Sequence, residues 1–174
     1  PNTNPATTNE SALKEKLRRA EGRLFCDYAF YAGGTEENYG ELPELEKIPG
    51  CCGVKVFMGL SVGSLLVTDE SDLNNIVSSI YNRASFHCED QDLLEERIEF
   101  QIPGNINSHE VWRNDEQCFK ATKRIVDIAR KKKKNIHIYQ NLIFMIWINI
   151  LTQDYQETML KEIVIISLLN HYGI

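Results

Sequence analysis

Two short stretches carry the side chains best suited to chemistry. In SFHCED, residues 85–90, His87 lies between Phe86 and Cys88 and is followed by Glu89 and Asp90. In GVKVFMG, residues 53–59, Lys55 stands inside an apolar run. Read as strands, alternation puts His87 on one face with Ser85 and Glu89, and Phe86 and Cys88 on the other. It likewise separates Lys55 and Phe57 from Val54, Val56 and Met58. A lysine ammonium inside such a strand is costly to bury, so it needs a reason. Either its stem snorkels to the strand end, or the amine takes up CO2 and becomes an anionic oxygen ligand able to bridge two metal ions. His87, at the carboxyl end of its strand, is either a hydrogen-bonded strand-end residue or a metal ligand. His109, His137 and His171 read as structural, because zinc needs three or four convergent ligands.

The surrounding pattern shows what positions these residues. NESALKEKLRRAEGR reads as a helix capped by Asn9, with a stripe of Ala12, Leu13, Leu17 and Ala20, stopped by Gly22. LFCDYAFYAGG reads as a strand. EENYGELPELEKIPG is a short helical or irregular piece interrupted by Pro43. CCGVKVFMG is a second strand. TDESDLNNIVSSIYNR has a Thr or Asp cap, acids in its first turn, and Leu73, Ile76, Val77 and Ile80 at helical spacing. ASFHCED is a third strand. QDLLEERIEFQ reads as helix, IPGNINSHEVWRN as loop, and DEQCFKATKRIVDIARKKKK as an amphipathic helix leading into a fourth strand, NIHIYQ. Strands alternating with helices indicate an α/β fold of parallel strands joined by crossover helices.

The bulk properties narrow the class. At 174 residues the chain suits one domain. A net charge of −6 argues against a general nucleic-acid binder. The basic run from Arg130 to Lys134 closes a helix, where cations offset the negative end of the dipole. Five cysteines without C-x-x-C spacing suggest reduced thiols and a cytoplasmic setting. No signal peptide is read before the first structured segment. The apolar run NLIFMIWINIL is shorter than the roughly 20 residues a membrane helix needs. The opening at Pro1, without methionine, reads as a beginning cut from something longer. From Asn135 to Ile174 there are ten isoleucines, against eight in the preceding 134 residues. The segment 139–174 is therefore set apart as an apolar tail, read as helical and buried or as sequence not selected for this fold. A shifted reading frame in an AT-rich gene would also fit.

PNTNPATT, CDYAFYAGG, GVKVFMG, SFHCED, the H-x-x-x-R of His109 and Arg113, and NIHI follow one another in a familiar order and spacing. Over residues 1–138 the chain resembles the dihydroorotase branch of the amidohydrolase superfamily, with allantoinases and hydantoinases as relatives. The resemblance implies a (β/α)8 TIM barrel holding one or two zinc ions. Its reaction is cyclic amide hydrolysis, reversibly interconverting N-carbamoyl-aspartate and dihydroorotate in pyrimidine biosynthesis. It implies that Asn2 helps hold the substrate carboxylate, that Lys55 is the carboxylated lysine, and that His87 binds zinc.

This sequence also departs from that family. The family's H-x-H pair and the nearby carboxylate-clamping arginine lie on its first strand, ahead of Pro1. A second zinc-binding histidine belongs three residues after His137, where Gln140 stands. The aspartate of the eighth strand, the general base, has no match. Leu60 and Val62 occupy places that usually hold small polar residues. A catalytic zinc needs three protein ligands and an open water position. Without the ion, water stays near its bulk pKa. The expectation is a partial barrel of about strands 3 to 6, inactive as this chain alone and of low stability. Its raw edges would be met by an oligomer or by a complementing chain. The alternative from another class is a non-catalytic scaffold binding a partner such as a transcarbamoylase.

Overall fold

A computed structural model describes residues 1–59 and 63–138. Leu60, Val62, Gln140, His171 and the whole isoleucine-rich segment 139–174 lie outside the described residues, and with them the readings made of those positions.

The chain alternates as expected. Helix α1 (Glu10–Ala20) precedes strand β1 (Phe30–Gly33), and the short α2 (Leu42–Leu45) leads to β2 (Cys51–Phe57). Then come α3 (Glu70–Ser79), β3 (Ala84–His87), α4 (Gln91–Glu96), α5 (Ser108–Trp112), α6 (Asp115–Lys132) and β4 (Ile136–Ile138). The strands form one sheet in the order β1-β2-β3-β4, every neighbouring pair parallel.

Local chemistry sets the helix ends. Asn9 accepts from the Ala12 N–H at the start of α1, Asp69 from Ser71 at α3, Asp90 from Leu93 at α4, and Asn114 from Gln117 at α6. Each satisfies a donor that the first helical turn leaves without an intrahelical partner. At the far end of α6, Arg130, Lys131 and Lys132 fill the last turn, and Lys133 takes the left-handed conformation (φ 54°) that closes it.

The core lies between the sheet and its helices. Val54, Val56, Met58, Ala84, Phe86 and Cys88 pack with Leu73, Ile76, Val77, Ile125 and Ile128 of α3 and α6, all of them buried. Two ties hold the turn that enters β3. The carboxylate of buried Glu46 accepts from the backbone N–H groups of Tyr81 and Asn82. Lys134 Nζ donates to the Ile80 carbonyl at 2.7 Å.

Three expectations need correction. The first strand begins at Phe30, not near Leu24, because β2 offers it pairing partners only from Cys51 onward; Leu24, Phe25 and Tyr28 are exposed. Pro43 does not interrupt a helix but sits in the first turn of α2, where its missing N–H costs nothing. The stretch read as a loop around His109 contains α5, closed by the Arg113 N–H donating to the His109 carbonyl at 2.8 Å.

Candidate functional site

Parallel pairing aligns side chains into rows across the strands. Gly33, Lys55, Ser85 and His137 occupy matched register positions on β1 to β4, and Phe57 is matched with His87 one pleat further toward the carboxyl ends. The sheet face opposite the helices therefore carries Lys55, Phe57, Ser85, His87 and His137.

Lys55 is 9 % exposed. Burial draws its ammonium pKa down to about 8, and its Nζ lies 4.9 Å from the centroid of the Phe57 ring. A neutral amine is thus available only slightly above neutral pH, the form that can attack CO2. The Phe57 ring stands 5.9 Å from the His87 ring, centroid to centroid.

His87 is held from its far side. Its Nε2 lies 3.0 Å from Glu89 Oε2, and Arg113 Nη2 donates to that same oxygen at 2.9 Å. Burial alone would raise the Glu89 carboxyl. The hydrogen bond from His87 and the charges of Arg113, His87 and His109 outweigh it and hold the group below the usual carboxylate range. Glu89 can sit there because residue 59 is glycine: a Cβ at Gly59 would come within 2.5 Å of the Glu89 carbonyl oxygen. The Arg113 guanidinium also stacks 5.1 Å from the Trp112 ring, and His109 meets that ring edge-on at 6.4 Å.

Cys88, the other neighbour of His87, points into the core. Burial pushes its thiol up to about 12, so it is neither a nucleophile nor a ligand at ordinary pH. All five cysteines are free.

The structure places Lys55 and His87 on one face of adjacent strands. Asn2 is exposed, on an N-terminal segment anchored beside β1 where the Gly33 N–H donates to the Thr7 carbonyl at 2.7 Å. Two features went unread in the sequence. One is the pairing of Glu89 with Arg113, whose signal was present in the matching faces of residues 87 and 89 but whose second partner lies 24 positions away. The other is His137, set aside as structural, which shares a row with Lys55 and Ser85. Burial, with the positive charges of Arg83 and Lys55, lowers its pKa.

Among the described residues no group of three or more His, Cys, Asp or Glu side chains converges to hold a metal ion. Lys55 and His87 amount to two donors, and a catalytic zinc asks for three from the protein. The described residues alone do not fit a complete zinc centre. No described helix is long and apolar enough to cross a membrane.

Comparison with known proteins places this face in context. No family model matches the chain. Over 143 residues it is 26 % identical to a dihydroorotase of Methanosphaera stadtmanae, covering 79 % of this chain and 32 % of that protein. Over 101 residues it is 34 % identical to an L-hydantoinase of Paenarthrobacter aurescens, covering 55 % of this chain and 21 % of the relative. The chain thus spans between a fifth and a third of the length of these curated relatives. Among solved structures, the L-hydantoinase of Arthrobacter aurescens superposes with a TM-score of 0.69 at 23 % identity, covering 79 % of this chain and 32 % of that one. The dihydropyrimidinase of Brevibacillus agri gives 0.70 at 18 %, covering 83 % and 33 %. The four-stranded parallel sheet with its helices shares its fold with about a third of these chains, which are TIM barrels. The sequence similarities support a relationship to that superfamily over part of its length.

Proposed function

We propose that this chain is the middle arc of a dihydroorotase-like cyclic amidohydrolase, contributing one corner of a metal-centred site and inactive as an isolated polypeptide. The observation that carries the reading is the shared face of Lys55 and His87 on adjacent parallel strands, with His87 at the carboxyl end, where barrel enzymes place their chemistry. Residues 1–138 form the barrel portion, and the apolar segment from 139 onward is a separate part of the chain. Lys55, once carboxylated, and His87 would supply an oxygen and a nitrogen to zinc, with Asn2 toward the substrate carboxylate. In the family that the chain resembles, the remaining donors and the general base stand at positions that residues 1–138 do not match.

The reaction class follows from the relatives' names, dihydroorotase and L-hydantoinase, which both act on cyclic amides. A metal held by Lys55, His87 and further donors would supply an activated water and a polarised amide carbonyl to such a reaction. This chain's own part is to hold donors on a rigid sheet rather than on loops.

The test is zinc content and dihydroorotate or hydantoin hydrolysis on the purified chain. The expected outcome is no turnover and less than one bound zinc per chain. Stoichiometric zinc with turnover would overturn the assignment of inactivity.

A further inference from the structure

We propose that Glu89 is a positioning residue that fixes the orientation and tautomer of the His87 ring, with Arg113 anchoring the carboxylate. The proposal rests on the reading of His87 as a donor of a cyclic-amide hydrolase. Both partners meet one atom: Glu89 Oε2 lies 2.9 Å from Arg113 Nη2 and 3.0 Å from His87 Nε2. A guanidinium only donates, and an ionised carboxylate only accepts. The hydrogen between Glu89 and His87 is therefore on Nε2, which leaves the lone pair of the neutral ring on Nδ1. A histidine whose one ring nitrogen is tied to a carboxylate presents the other in a fixed direction, the usual way a protein prepares an imidazole for its partner.

The surroundings favour a fixed arrangement. The Glu89 side chain is only 5 % exposed, so little water competes for its oxygens. Its backbone is pressed against Gly59 so closely that a single added carbon would displace it. The Met58 N–H donates to the His87 carbonyl at 3.0 Å, fixing the backbone that carries the ring. Phe57 flanks the ring from β2.

Long-range 1H–15N NMR of the histidine rings in the labelled chain tests this, with the His87 signals assigned by loss in His87→Asn. The wild-type neutral ring is expected to carry its proton on Nε2. In Glu89→Gln the amide can present either a donor or an acceptor, and the ratio of the two tautomers should fall about tenfold. Arg113→Lys should restore most of the wild-type ratio, whereas Arg113→Met should not. Backbone amide spectra show whether each variant is folded. If Glu89→Gln fails to fold, Arg113→Met decides, since it leaves Glu89 in place. A wild-type ring protonated on Nδ1, or a wild-type ratio in Glu89→Gln or Arg113→Met, would overturn the proposal. Turnover and zinc play no part in this measurement. A chain that hydrolysed dihydroorotate unaided would sink the assignment of inactivity and leave the role of Glu89 standing.

Discussion

The two faces of β2 and β3 are built to different rules. Toward the helices, Val54, Val56, Met58, Ala84, Phe86 and Cys88 are all without measurable solvent exposure, and none carries an ionisable group that titrates near neutral pH. On the opposite face the intervening positions hold Lys55, Ser85 and His87, with Glu89 just beyond the strand. Alternation with a period of two lets one strand serve both purposes, since neighbouring residues never share a face. The helix side obtains stability from close packing. The other side carries groups whose burial is costly and which have to be justified one by one.

The largest effect should come from the packed face. Phe86→Ala is expected to lose about 3 to 5 kcal/mol in urea denaturation, enough to unfold a marginal domain. His87→Ala, its immediate neighbour, should lose only about 1.5 to 3 kcal/mol, the value of one hydrogen bond to a charged group. Comparable losses at the two positions would break the comparison.

Next comes Lys55, where the polar face works against the fold. Its pKa falls from 10.5 in the unfolded chain to about 8 in the folded one. Between these values the unfolded state binds more protons, so stability rises with pH from about 8 to 10.5 and is flat on either side. The shift amounts to an order of magnitude of about 3 kcal/mol. Lys55→Met should therefore stabilise the chain near pH 7 and lose most of that advantage above about pH 10. Paired denaturation curves at the two pH values check the sign, and a wild-type stability that falls across the window would contradict it.

Gly59→Ala should cost about 1 to 3 kcal/mol, because the atom it meets is backbone and cannot rotate away. The same variant should shift the His87 ring signals. A change in stability with unmoved ring signals would separate the packing of Glu89 from its hold on the imidazole.

The smallest effect is chemical rather than energetic. Supplying 13C-bicarbonate should produce a carbamate signal as the neutral Lys55 amine forms an N–C bond to CO2 and releases a proton. The signal should be absent in Lys55→Met. A signal equal in both proteins would place the carbamate elsewhere.

Much of the fold was legible because it is written in local periodicity. The caps at Asn9 and Asp69, the strand around Lys55 and the helix closed by Lys131 to Lys133 each depend on residues within a few positions of one another. The failures share one cause, which is that the deciding partner is distant. Whether Leu24 or Phe30 opens β1 depends on where β2 begins, some twenty residues later. The stretch around His109 reads as loop, yet α5 follows from turns that bring Ser108 Oγ back to the Ile102 carbonyl. At the site, Lys55 and His87 stood out as costly residues in apolar strands. Arg113 stood out only as part of a motif shared with His109, and its pairing with Glu89 did not, because only folding brings the two together.

The ties at the start of β3 bear on more than that turn. A slip of one residue in this strand would exchange its two sides, sending Phe86 toward the polar face and His87 among the leucines and isoleucines of the helices. Glu46 grips the amides of Tyr81 and Asn82, and Lys134 grips the carbonyl of Ile80, so the strand enters the sheet already counted. Two side chains that lie off the polar face, those of Glu46 and Lys134, thereby help determine which side chain the chemistry would meet.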